Sequence, residues 1–130
     1  MSDPFKKVLS TPQVARWTHE GIECAVHQHP DLGLRNGYVL IPDGNPLEQS
    51  ADWGEHYCSE SLLDVHGGVT YGPNKVDGGH VVGFDTGHAG DYSVGFPLGR
   101  RWMLDDVVEE TNRMAGQVAQ WGRGGEWVVI

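Results

Sequence analysis

Two stretches of this chain set ionisable side chains beside glycines, the residue type that lets backbone approach a ligand closely. They are Val65-His66-Gly67-Gly68-Val69-Thr70-Tyr71 and Gly83-Phe84-Asp85-Thr86-Gly87-His88-Ala89-Gly90-Asp91-Tyr92. The chemistry open to them is acid and base catalysis by His66 and His88, with Asp85 orienting an imidazole. A second possibility is a divalent metal held by His66, Asp85 and His88, with a position left for water. Around these, Gly67, Gly68, Thr70, Tyr71 and Asp91 are candidate ligand-binding residues, since glycine N–H groups can cradle an anion such as phosphate. A purely structural role competes with both. Asp85 can cap the Thr86-Gly87 turn in the Asx manner, Gly67-Gly68 can mark a bulge, and His66 can be a satisfied half-buried histidine.

Other reactive side chains are weaker candidates. His27 and His29 flank Gln28 next to Pro30, and are expected to be solvated at a turn. Adjacent His56, Tyr57 and Cys58 suggest a nucleophile with its base, but neighbours on a chain usually point different ways, and a reactive thiol needs a lowered pKa. Cys24 and Cys58 lack C-x-x-C spacing and are expected to be free thiols. The tryptophans, Trp17, Trp53, Trp102, Trp121 and Trp127, lack the basic interleaving of a base-stacking platform and suit core and edge positions.

The elements that must position these groups follow from periodicity. Residues 1–15 carry Pro4 and Pro12 without a sustained period and are expected to form a loosely held arm. Residues 16–130 are expected to form a single α+β domain. Ile22, Cys24 and Val26 alternate as in a half-buried strand that is interrupted near Gly21. A second strand is expected at Gly37-Tyr38-Val39-Leu40-Ile41, stopped by Pro42-Asp43-Gly44-Asn45-Pro46. Leu62 to Tyr71 is expected to be a third strand, bulged at Gly67-Gly68, and His80 to Asp85 a fourth, with residues 72–79 as the hairpin-like connection. From Leu104 to Trp121, the residues Leu104, Val107, Val108, Thr111, Met114, Ala115, Val118 and Trp121 form one apolar stripe at helical spacing. Glu109, Glu110, Arg113 and Gln117 are expected to face water. Asp105-Asp106 suits the start of this helix and Gly122 its stop. Gly122-Arg123-Gly124-Gly125 would then lead into a last strand over Glu126-Trp127-Val128-Val129-Ile130. Successive short strands favour antiparallel pairing. The expected fold is therefore an antiparallel sheet of about five strands with one long amphipathic helix packed across it.

Composition narrows the function. Eighteen acidic residues against nine basic ones give a net charge of −9, so neither nucleic acid nor an anionic membrane is an expected partner. No apolar run approaches the ~20 residues of a spanning helix, and no apolar segment follows Lys6-Lys7 as in a secretory leader. Nineteen of the 130 residues are glycine, roughly twice the usual ~7%, and they cluster between Gly67 and Gly99, the band that holds His80 and His88 beside His66, and again between Gly122 and Gly125.

Asn36-Gly37-Tyr38-Val39-Leu40-Ile41-Pro42, Asp64-Val65-His66-Gly67-Gly68-Val69-Thr70-Tyr71 and Val82-Gly83-Phe84-Asp85-Thr86-Gly87-His88-Ala89-Gly90-Asp91, followed by an acidic amphipathic helix, resemble a family of small proteins encoded by bacteriophages and prophages. The resemblance runs from about Ile22 to Gln120. Such proteins often carry a histidine before the proline that follows the second strand; Asn45 stands there, which counts against chemistry needing a histidine in that loop. The resemblance implies expression in the cytoplasm of a bacterial host cell and specifies no reaction. Two functions follow as expectations. In one, a His/Asp/Gly pocket takes a small polar ligand, nucleotide-like ligands included, with hydrolysis as its reaction and a divalent metal as its candidate cofactor. In the other, a non-enzymatic factor binds a host bacterial protein through its acidic surface. DNA mimicry fits less well, because basic residues interrupt the acidic ones.

Overall fold

The computed structural model describes residues 3–49, 63–87 and 102–124. In chain order the elements are α1 (Pro4–Val8), β1 (Gln13–His19), β2 (Ile22–Gln28), β3 (Arg35–Pro42), a 3-10 turn (Pro46–Gln49), β4 (Tyr71–Val76), β5 (Gly79–Phe84) and α2 (Leu104–Gly124). The strands form one five-stranded sheet in the order β1-β2-β3-β5-β4, and every neighbouring pair is antiparallel. The α+β architecture is the one expected from the sequence. No helix among the described residues is long and apolar enough to cross a membrane.

Turn chemistry sets the pairings. Glu20 and Gly21 both adopt positive φ, at 51° and 79°, and close the β1–β2 hairpin where His19 faces Ile22. The single interrupted strand expected near Gly21 is thus two strands. Asp77-Gly78 closes β4 onto β5 with Val76 opposite Gly79. Residues 72–76, expected in a connection, belong to an edge strand whose register shifts between Tyr71 and Asn74. An edge tolerates Pro73, which has no N–H to donate.

The third strand expected over Leu62 to Tyr71 does not form in the described part, residues 63–70. Gly67 and Gly68 have φ of 69° and 81°, which breaks an extended run. Side chains of α2 take hydrogen bonds that a ladder would otherwise use. Gln117 Oε1 accepts from the Asp64 N–H at 2.7 Å, its Nε2 donates to the Asp64 carbonyl at 2.8 Å, and Glu110 Oε2 accepts from the His66 N–H at 2.7 Å. Gln117, expected to face water, is therefore 1% exposed. Its polar atoms are satisfied by the strap it holds.

Both faces of the sheet are covered. On one, α2 lays Val107, Met114, Ala115 and Val118 against Cys24, Val26, Val39, Ile41, Val82 and Phe84. On the other, Phe5 packs with Ala25, Tyr38, Leu40, Val76 and Val81. This second core overturns the loosely held arm, over the described residues 3–15. Asp3 caps α1 by accepting from the Phe5 and Lys6 N–H groups, and Phe5 is fully buried. It also explains why β2 is buried on both faces from Cys24 to His27 rather than half-buried. The last expected strand, residues 126–130, lies outside the described residues.

Candidate functional site

Antiparallel pairing brings several chain segments to one end of the sheet. Gln28 at the end of β2 pairs with Arg35 at the start of β3, and Gly37 pairs with Phe84 at the end of β5. The Thr70 N–H donates to the Gly83 carbonyl just before β4 begins. Residues 85–87 leave β5 at this end and pack on the β2–β3 loop. Thr86 Oγ1 donates to the Arg35 carbonyl at 2.9 Å, and Gly87 lies so near Leu34 that a Cβ would come within 3.2 Å of its Cδ1.

Asp85 accepts from Thr70 and from Gly87. Thr70 Oγ1 donates to its Oδ2 at 3.0 Å, and the Gly87 N–H donates to its Oδ1 at 3.0 Å. The second bond is the Asx turn that the sequence allows; the first ties the carboxylate to the strap ahead of β4. Tyr71, the next residue, stands edge-on to Tyr38 at 5.4 Å and donates its hydroxyl to the Val8 carbonyl at 3.0 Å. Burial pushes the Tyr38 phenol above its ordinary pKa, and the nearby Tyr71 and Asp85 add to this. Tyr71 is thus tied to the α1 side of the sheet.

His66 is held on the helix side. Its ring lies 4.4 Å from the Trp102 ring, centroid to centroid, and its backbone N–H is anchored by Glu110. Burial pushes the Glu110 carboxyl up, but the Arg113 guanidinium and the His66 N–H outweigh it, and the net pKa is below the ordinary carboxylate value. Glu110 in turn raises the affinity of Arg113 for its proton, with Asp64 as a second partner. Gly67 is exposed and Gly68 buried, with the Gly68 N–H donating to the Val65 carbonyl.

A cavity of about 180 Å³ is lined by Leu32, Gly33, Leu34, Arg35, Thr86, Trp102 and Met103. Thr86 follows Asp85 in the chain, and Trp102 is the ring that His66 packs against at a tilt of 47°. The structure thus brings Thr70 and Asp85 into contact and sets His66 with Trp102 and Glu110, with the cavity touching both neighbourhoods. His88 and Asp91 lie outside the described residues, as do His56, Tyr57 and Cys58. Sequence reasoning missed Arg35, Thr86, Trp102 and Glu110. Arg35 shares strand parity with Gly37 and Val39, and Trp102 stands just ahead of the helix start; those were the available signals.

Two other expectations change. His27 is not solvated at a turn: it lies within β2 and is 1% exposed. His29 does sit at the turn, where its Nδ1 accepts from the Asp31 and Leu32 N–H groups. Cys24 is a free, buried thiol, as expected, and burial pushes its pKa up to about 12.

The chain matches no protein-family model and no solved structure. It is similar to a UPF0173 metal-dependent hydrolase of Pyrococcus horikoshii, with 31% identity over 114 residues. That alignment covers 82% of this chain and 49% of the relative, so the chain spans about half the length of the curated protein it matches. Among the described residues, no group of three His, Cys, Asp or Glu side chains could hold a metal ion. The described part of the expected metal set, His66 and Asp85, does not by itself make a centre.

Proposed function

We propose that the chain carries a hydrolytic site for a polar ligand at the end of the sheet that holds Asp85 and Thr70, with His66 against Trp102 and the cavity lined by Thr86 and Trp102 beside them. The similarity to a metal-dependent hydrolase over most of the chain is the observation that carries this reading. The geometry supports it: Asp85 is positioned through both carboxylate oxygens, and the next residue, Thr86, lines a cavity. A carboxylate held in this way can take the proton from an attacking water, which is general-base chemistry. Thr70 is its positioning residue. His66, braced by Trp102 and Glu110, is the acid that returns a proton to the leaving group.

Turnover of chromogenic carboxylic and phosphate esters, with chelator and with added Mn²⁺ or Zn²⁺, tests the reading. Hydrolysis above the buffer rate under any of these conditions, reduced by both Asp85→Asn and His66→Asn, supports it. No turnover under every condition, or turnover indifferent to both substitutions, rules it out.

A further inference from the structure

The arginines of the described residues differ in their partners. Arg16 meets Glu23 and Asp3, Arg113 meets Glu110 and Asp64, and Arg123 meets Glu20. Arg35 meets no carboxylate among the described residues. Its Nε donates to the Gln28 Oε1 at 3.0 Å, an uncharged acceptor that orients the guanidinium without neutralising it. In a chain with twice as many acidic as basic residues, a half-buried arginine with no counter-charge among the described residues is conspicuous. It lines the cavity.

The rest of the lining is mixed and partly open: Leu32, Leu34, Trp102 and Met103 are apolar, and Thr86 is polar. Trp102 supplies an aromatic wall, and Leu32 and Met103 are 51% and 54% exposed. Those two are among the few large apolar side chains that the described surface leaves exposed. An apolar rim, an indole wall and a guanidinium together suit a flat, apolar body that carries one negative group. Size limits the body: an engineered apolar cavity of about 150 Å³ takes one benzene. The cavity of about 180 Å³ has room for a single ring with its acid group.

We propose that this cavity binds a small, single-ring carboxylate, with the acid on the Arg35 guanidinium and the ring against Trp102. This names the ligand class of the site proposed above and rests on that reading only for its link to hydrolysis. The overall charge of −9 repels anions at long range, so recognition must come from the local fork of Arg35.

Calorimetric titration of the whole chain with benzoate, benzamide and benzylamine tests the proposal. Benzoate is expected to bind saturably at one site, and benzamide and benzylamine at least roughly tenfold more weakly, as a charge-assisted bidentate pair implies. Arg35→Met should weaken benzoate by a similar factor while leaving benzamide unchanged. Should that variant not fold, Arg35→Lys keeps the charge, loses the planar fork and should still bind benzoate more weakly. Absence of saturable benzoate binding, equal affinity for benzoate and benzamide, or full affinity in the arginine variants would overturn the proposal. Benzoate binding by a protein that hydrolyses nothing would overturn the hydrolytic reading alone.

Discussion

Gly37 of β3 and Thr111 of α2 touch across the interface between sheet and helix. A methyl group on Gly37 would stand 2.1 Å from Thr111 Oγ1 and 2.5 Å from Phe84 Cε1. Thr111 is fully buried and donates to the Val107 carbonyl at 2.7 Å, so it has no room to retreat. Gly37→Ala should therefore cost roughly 1–3 kcal/mol or more, the usual range for overpacking. Adding Phe84→Leu removes the ring and should recover part of the loss. Urea midpoints of the single and double variants check this. A Gly37→Ala protein as stable as the wild type would contradict the close packing that seats α2 beside the cavity.

The bond from Thr70 to Asp85 joins the strap before β4 to the turn after β5. Thr70→Val keeps the shape and deletes the donor. A loss of about 0.5–1.5 kcal/mol is expected for one hydrogen bond, and Thr70→Ser should restore it. If Thr70 positions the carboxylate, kcat falls in Thr70→Val and returns in Thr70→Ser, with KM little changed.

His27 gives stability a pH dependence. Its Nδ1 lies 2.8 Å from the Thr11 carbonyl, an acceptor only, so Nδ1 carries the proton and Nε2 accepts from Gln13 Nε2 at 3.2 Å. The same Gln13 amide donates to Asp3 Oδ2 at 3.1 Å. Burial pushes the His27 pKa down, and the Thr11 bond and Asp3 only partly oppose it. A histidine whose folded pKa is depressed favours the fold above its unfolded pKa of about 6.5. That contribution is lost as pH falls from there through the folded pKa. Urea midpoints at pH 7.5 and 5.5 should therefore fall further in the wild type than in His27→Gln. Parallel falls in the two proteins would remove His27 as the cause.

Cys24 should resist alkylation in the native state. Burial pushes its pKa up to about 12, and the thiolate is the reactive form. Iodoacetamide at pH 8, read by mass spectrometry of the Cys24 peptide, is expected to label it in urea and not in buffer. Rapid native labelling would contradict a closed core between β2 and α2.

The fold was legible where one face of an element decides its pattern. The stripe from Leu104 to Trp121 and the alternation at Ile22, Cys24 and Val26 each named a buried surface, and α2 and β2 follow. Phe5 was not legible, because a one-turn helix has no period and its burial depends on the opposite face of the sheet. Gln117 was misread for a related reason: polar residues count as solvent-facing until a backbone strap supplies their partners. In the candidate site, Thr70 and Asp85 could be linked from the two glycine-flanked segments, since hairpin pairing makes those segments neighbours. Arg35 was hidden because what distinguishes it is the lack of a counter-charge among the described residues, and that depends on where the carboxylates lie in space.

The hydrolytic account stands most directly on the carboxylate of Asp85. The decisive measurement is kcat/KM of Asp85→Asn against the wild type on the best ester substrate, with equal urea midpoints confirming that both proteins are folded. Loss of a general base predicts a fall of about 10²–10⁴-fold. A variant within twofold of the wild type would show that the reaction does not pass through Asp85.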